Sequence, residues 1–305
     1  MIVRAPGKLV LTGAYAVLEG APALVVAVDR YARADASRTA DAPSAEVVEA
    51  IGSNAPFCDA EAMYEGGKKL GLGSSAAVLV ASLGARAAKS GQDLADPDVR
   101  SRLFARARDA HMIVQGGGSG VDVAASTYGG VLRYALHAGR PWVLASSFPE
   151  DLTLAAFFSG TSARTSDLLG RVAELRAKDP EMHRNKLAAL ISASQVAAEI
   201  FEAGSGAEFV AAARAYAGAL DELGDAADAN IVPLDFRRLD VVAGEEDAVF
   251  FPSGAGGGDV GVYLGPRPPT ENFTKRAALL GMQPIPLQID REGVRSEVDA
   301  AGITP

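Results

Sequence analysis

Three glycine-rich segments, one lysine and one aspartate carry the chemistry legible in this chain. Gly71-Leu72-Gly73-Ser74-Ser75-Ala76 opens a stretch of strong helix formers. A helix start leaves its first amides without partners and carries partial positive charge, which favours an anion. Glycines let that backbone approach a phosphate closely, and two serine hydroxyls add groups for a phosphate oxygen or magnesium. The plain alternative is a glycine turn with a serine capping the helix. Gly118-Ser119-Gly120-Val121-Asp122 sets a carboxylate beside flexible backbone, either to face a substrate or to cap the next segment. Ser253 to Asp259 contains Gly254 and then Gly256, Gly257 and Gly258. That density costs entropy unless unusual dihedrals or close approach require it. The flanking Phe250, Phe251, Val260 and Val262 indicate a loop joining buried strands, against the alternative of a mobile surface loop. Lys8 enters the apolar run around Leu9-Val10-Leu11 and, taken alone, reads as snorkelling.

Two familiar nucleotide motifs are excluded. Gly71 to Ala76 formally matches G-x-G-x-x-A, but the approach Tyr64-Glu65-Gly66-Gly67-Lys68-Lys69 is no apolar strand. The acidic residue about twenty positions on, Asp93, follows a helix and Gly91 rather than a second strand. The chain also lacks G-x-x-x-x-G-K-[ST].

The elements that must position these segments are mixed. Short strands are expected in the first third, at Leu9 to Leu11, Ala23 to Val28 and Glu46 to Ile51, with Arg33 to Ser44 a strand end and loop. Helices are expected over Ala76 to Lys89 and Pro97 to Val114, then strands over Gly130 to Tyr134 and Trp142 to Ser147. A soft boundary near Pro149-Glu150-Asp151 divides the chain into residues 1–150 and 151–305. Beyond it come a strand at Thr153 to Phe158 and helices at Thr165 to Ala177, Pro180 to Glu202 and Ala207 to Leu223. A strand at Val260 to Leu264, a helix near Thr270 to Leu280 and a last strand at Pro286 to Ile289 complete the chain. Strands and helices without strict alternation favour α+β over a doubly wound sheet.

Composition bounds the rest. A chain of 305 residues suggests about two domains. With 49% apolar and 22% charged residues it is neither disordered nor fibrous. The single cysteine, Cys58, rules out an internal disulfide framework and suits a reducing compartment. A net charge of -9 argues against nucleic acid or an anionic membrane as main partner. It does not oppose an anionic small substrate, because amides and a few lysines can invert the local sign. The N-terminal run has no signal-peptide character and no apolar stretch reaches membrane-spanning length, so the expectation is a cytoplasmic protein.

Taken together, the three loops and Lys8 resemble the GHMP kinases: the galactokinase, homoserine, mevalonate and phosphomevalonate kinase superfamily. Pro6-Gly7-Lys8 through Leu24 resembles the first motif, Gly71 to Ala77 the ATP phosphate loop, and Ser253 to Asp259 the third motif. Gly67-Lys68-Lys69-Leu70-Gly71-Leu72-Gly73-Ser74-Ser75 is similar to the loop of bacterial phosphomevalonate kinases. So are Ala110-His111 with Gln115 and the Gly118 to Asp122 stretch, Gly160 to Ser166, and the closing Pro286 to Val294. Mevalonate kinases place a magnesium-binding glutamate where this chain has His111. Two departures stand out: Ala14 replaces a frequent glutamate, and Ser126 to Tyr134 is closer to the mevalonate kinase style.

The resemblance implies an α+β, two-domain GHMP kinase fold. Its N-terminal half would be ribosomal-protein-S5-domain-2-like and its C-terminal half a ferredoxin-like α/β sandwich. It implies transfer of the γ-phosphoryl of ATP, with Mg2+, to 5-phosphomevalonate. Mevalonate is the runner-up acceptor, and a diphosphomevalonate decarboxylase-like enzyme or a non-catalytic sensor is less favoured. Lys68, Gly71, Leu72, Gly73, Ser74 and Ser75 would hold the nucleotide, with Ser75 touching Mg2+. Lys8, Asp122 and Ser75 would be catalytic. Lys8, Tyr15, Ser119, Arg133, Ser253 and Gly254 would contact the substrate. For Tyr15 and Arg133, core packing and an exposed strand position are equally good readings, and His111 reads first as a core histidine. The expected assembly is a monomer or homodimer, without nucleic acid or membrane. From another class, a plain structural α+β protein with mobile glycine loops predicts no thermal shift with Mg-ATP.

Overall fold

The computed structural model describes residues 1–161 and 165–297. In chain order the first half comprises β1 (Ile2–Thr12), β2 (Ala23–Thr39), α1 (Ala45–Ile51), β3 (Pro56–Asp59), β4 (Tyr64–Glu65), β5 (Lys68–Lys69), α2 (Ser74–Lys89), α3 (Pro97–Gln115), α4 (Val121–Tyr128), β6 (Val131–His137) and β7 (Arg140–Ser146). The second half comprises β8 (Thr153–Phe158), α5 (Thr165–Lys178), α6 (Pro180–Ala203), α7 (Gly206–Ala226), α8 (Leu234–Gly244), β9 (Val249–Pro252), β10 (Val260–Gly265), α9 (Glu271–Leu279), β11 (Gln283–Ile285) and β12 (Arg295–Ser296).

The expected short strands of the first third are instead two long ones. Pro6-Gly7 does not end β1; the antiparallel register with β2 shifts there and the ladder resumes. Ala23 to Val28 alternates between two cores. Leu24, Val26 and Val28 join the cluster shared with the C-terminal half, whereas Ala23, Val25 and Ala27 join the one under α2, α3 and α4. A strand covered on both faces reads as a continuous apolar run. The sheet order is β12-β1-β2-β6-β7, with β3 on the outer half of β2.

The second sheet runs β11-β8-β10-β9, antiparallel throughout. In chain order its strands are the first, second, third and fourth of a β-α-β-β-α-β unit and lie fourth-first-third-second, the ferredoxin-like arrangement expected. Phe157, Phe250, Tyr263 and Phe273 lock sheet to helix edge-to-face, with Phe157 and Phe273 centroids 5.3 Å apart.

Three local expectations are corrected. Glu46 to Ile51 is helical, because Ser44 caps it by accepting from the Val47 amide at 3.4 Å and Val47, Ala50 and Ile51 share one buried face. Asp122 lies in the first turn of α4 rather than in a loop, and α8 was not anticipated. Pro286 to Ile289 is no strand; Ile289 makes one isolated bridge to Val28.

From there the chain returns to the first sheet. Asp290 donates its amide to Ala27 and accepts from Gly130, and β12 pairs with β1. The buried Asp290 carboxylate takes Tyr31 at 2.7 Å and Arg295 at 2.6 Å. These partners outweigh its desolvation and hold its pKa below the usual carboxylate range. Gly293 and Gly129 meet backbone to backbone; a Cβ on Gly129 would lie 2.2 Å from the Gly293 nitrogen. This strap pins the C-terminal end of α4, the helix that carries Asp122. Among the described residues no helix is long and apolar enough to cross a membrane.

Candidate active site

Among the described residues, β12 pairs only with Val3 and Arg4 of β1. Beyond them the outer edge of β1 is taken by two glycine loops. The Lys8 amide donates to the Leu72 carbonyl at 2.9 Å, and the Val10 amide donates to Ser253 Oγ at 2.9 Å. One strand edge therefore fixes the first and third glycine segments on either side of Lys8. Lys8 pairs with Ala27, so its side chain projects onto the face covered by α2 and α4.

There Lys8 meets the other predicted groups. Its Nζ donates to the Gly71 carbonyl at 3.2 Å. A Cβ built on Gly73 would lie 3.1 Å from Lys8 Cγ, 3.2 Å from Cε and 3.7 Å from the Asp122 Cβ. A Cβ on Gly254 would lie 4.0 Å from Lys8 Nζ. Lys8 thus stands where all three loops converge. Burial lowers its pKa, opposed by the charges of Asp122 and Asp259.

The helix entrance has the features an anion needs. Gly71 and Gly73 both adopt positive φ, 74° and 77°, which lets the chain turn sharply into α2. Among the described residues no side chain caps α2, and the first intrahelical bond at this end runs from the Ala77 amide to Gly73. Neither serine caps the helix, and the amides of Ser74, Ser75 and Ala76 have no intrahelical acceptor. Gly71 presses on the third loop, since a Cβ there would come 2.4 Å from Asp259 Cβ. Across the loop, Gly257 donates to the Ile231 carbonyl at 2.8 Å.

Asp122 and Ser75 are joined by a residue read first as core. His111, on α3, places Nε2 3.4 Å from Ser75 Oγ and 3.7 Å from Asp122 Oδ2. The other Asp122 oxygen accepts from the Val123 amide at 2.9 Å. Locally, only the Ala110-His111 pattern with Gln115 singled this histidine out, because its importance arises where α3 crosses α4.

The remaining predicted residues divide. Tyr15 is 6% exposed and its hydroxyl donates to the Ala255 carbonyl at 2.7 Å, bracing the third loop. Its backbone sits at φ 62°, ψ −52°, with the Ala16 amide closing on Ala14 at 2.7 Å. That is a γ-turn of the rare, strained hand. The Tyr216 hydroxyl secures it by accepting from the Ala14 amide at 3.0 Å, a partner not foreseen. Ser119 accepts from the Tyr134 hydroxyl through its carbonyl; burial pushes that phenol up to about 12. Lys68 donates to the Gly160 carbonyl at 2.8 Å, linking the β4–β5 hairpin to the C-terminal half. Arg133 is on the wrong side of the sheet for Lys8. It pairs with Leu24, on the face opposite Ala27, and its guanidinium binds Glu202 at 2.8 Å. Of Gly160 to Ser166, residues 162–164 lie outside the described residues.

The residues present fit a nucleotide phosphate: uncapped amides, two half-buried hydroxyls and a lysine converge at one point. Among the described residues no group of three or more His, Cys, Asp and Glu side chains is placed to hold a metal by itself. A magnesium ion here fits only as one that takes most of its oxygens from phosphates.

Known proteins are similar to this chain along most of its length. Residues 23–130 match the model for the GHMP kinases N terminal domain. The phosphomevalonate kinase of Streptomyces sp. (strain CL190) is 29% identical, covering 96% of this chain and 98% of its own. The mevalonate kinase of Archaeoglobus fulgidus is 27% identical, covering 88% and 94%. A Streptococcus pneumoniae phosphomevalonate kinase, solved in complex with phosphomevalonate and AMPPNP, superposes with a TM-score of 0.77 at 21% identity, over 95% of this chain and 99% of that one. Residues 23–130 are thus similar to the GHMP kinases N terminal domain, and the chain as a whole shares the fold of the pneumococcal structure.

Proposed function

We propose that this protein transfers the γ-phosphoryl group of ATP to 5-phosphomevalonate, giving 5-diphosphomevalonate. The observation that carries the reading is the position of Lys8 Nζ between the α2 entrance and Gly254, beside Asp122. When bound, ATP supplies the phosphoryl group and Mg2+ neutralises charge on its phosphates. The Ser74, Ser75 and Ala76 amides donate to phosphate oxygens, reinforced by the α2 dipole. The Ser75 hydroxyl faces a phosphate oxygen or the metal. Lys8 stabilises charge on the acceptor and on the group in transit. Ser253 and Gly254 line the acceptor side, with Tyr15 bracing their loop.

Asp122 supports a phosphate acceptor over a hydroxyl. A hydroxyl must lose its proton as the bond forms, which calls for a free carboxylate. One Asp122 oxygen already accepts from the Val123 amide at 2.9 Å, and the other lies 3.7 Å from His111 Nε2. A phosphate monoester, with a second pKa of about 6, is mostly dianionic at neutral pH and needs no base. Similarity over nearly the whole chain extends to a phosphomevalonate kinase and to mevalonate kinases alike, so the choice of acceptor rests on Asp122.

The test offers Mg-ATP with mevalonate, 5-phosphomevalonate or 5-diphosphomevalonate in parallel, following ADP, inorganic phosphate and CO2. ADP from 5-phosphomevalonate alone is expected. ADP from mevalonate alone, or CO2 release, would replace this reading with mevalonate kinase or a decarboxylase.

A further inference from the structure

We infer that His111 is a positioning residue of this site, holding Asp122 and Ser75 in register through its Nε2–H and so setting how Asp122 faces Lys8. The inference rests on the phosphoryl-transfer reading above. One ring nitrogen, Nε2, faces both oxygens, at 3.4 Å and 3.7 Å, and the ring is 12% exposed. A carboxylate only accepts, so an attractive contact with Asp122 Oδ2 needs the proton on Nε2. With Nε2 a donor, the Ser75 hydroxyl cannot donate to the ring. Its proton turns outward, towards the uncapped amides of α2, where it can serve a phosphate oxygen.

The geometry separates this from a nucleophile relay. A Ser-His-Asp relay uses both ring nitrogens, one for the hydroxyl and one for the carboxylate. Here Nδ1 is buried without a hydrogen-bond partner among the described residues. His111 therefore does not draw a proton from Ser75 towards Asp122, and Ser75 is not activated to attack. The ring spans two helix starts, α2 at Ser75 and α4 at Asp122, from a third helix. That helix is itself fixed, since Gln115 donates to the buried Glu46 of α1 at 2.7 Å.

Two measurements test this. The first compares His111→Gln, whose amide extends an N–H to the Nε2 position, with His111→Leu, using whichever anionic acceptor yields ADP. His111→Gln should keep kcat within about threefold of the parent. His111→Leu should lose at least about thirtyfold in kcat, with KM for Mg-ATP and acceptor moving less than about threefold. Equal kcat in the two variants would overturn the inference, as would a loss confined to KM. The second reads the ring of the unsubstituted protein by long-range 1H–15N NMR without substrate. A proton on Nε2 is expected; a proton on Nδ1 alone would overturn the inference. The NMR result does not depend on acceptor identity, so an error in the substrate assignment is distinguishable from an error here.

Discussion

The Val10 amide donates to Ser253 Oγ at 2.9 Å, joining residues 243 positions apart. Val10 is buried, so nothing else replaces that acceptor readily. Ser253→Ala should cost about 1–2 kcal/mol, read as a lower urea midpoint at unchanged slope. It should also raise the acceptor KM by about tenfold while ATP affinity holds, because the third loop loses its tie to β1 and the first does not. A matching loss of ATP affinity would show that the two loops are not separately anchored.

Gly73→Ala tests close approach. A Cβ there meets the Lys8 stem at 3.1 and 3.2 Å from a backbone at φ 77°. Activity should fall by about tenfold, because the Lys8 stem must give by a few tenths of an ångström where a full misplacement of about 1 Å costs about a hundredfold. Gly91→Ala is the control: its φ is 79° but a Cβ would meet nothing within 4 Å. Both should lose about 1 kcal/mol for the left-handed backbone, and only Gly73→Ala should lose turnover.

Lys8→Met separates function from stability. Burial disfavours the charged amine, so its folded pKa lies below the ordinary 10.5. Below the folded value the full desolvation cost weakens the fold. As pH rises towards 10.5, the unfolded chain binds more protons than the folded one and the parent gains stability. The methionine variant should therefore be inactive yet at least as stable as the parent at neutral pH, with its advantage shrinking as pH rises. Denaturation midpoints from pH 7 to about 10 check this; a gap that widens would contradict it.

Asp122→Asn should keep more activity than loss of a general base allows, with a shallow pH–rate profile above about 6.5. Asparagine can still accept from Val123, but its carboxamide no longer offers His111 and Lys8 a charge. A steep profile in the parent that tracks a carboxylate and vanishes in the variant would reinstate Asp122 as a base.

What the sequence disclosed depended on how local each signal was. The glycine loops were legible because positive φ at Gly71 and Gly73, and close contact at Gly256, are demands that only particular residues meet. Lys8 was ambiguous alone, since snorkelling and aiming at a site look identical until a second element faces the lysine. Arg133 is set apart from Lys8 by parity: one residue along a strand exchanges faces, and only the β2–β6 register reveals which face is which. Glu46 to Ile51 looked like a strand because Val47, Val48 and Ile51 are β-branched, although Ser44 already carried a capping signal. His111 was hidden because helix crossing, not spacing, brings it between Ser75 and Asp122.

The most direct test is a structure of the protein with Mg2+, a non-hydrolysable ATP analogue and 5-phosphomevalonate. The γ-phosphate should rest on the Ser74–Ala76 amides, with Lys8 Nζ between it and the acceptor phosphate. A triphosphate bound elsewhere, or an acceptor lying beside Arg133 and Glu202 on the other face of the sheet, would contradict the account.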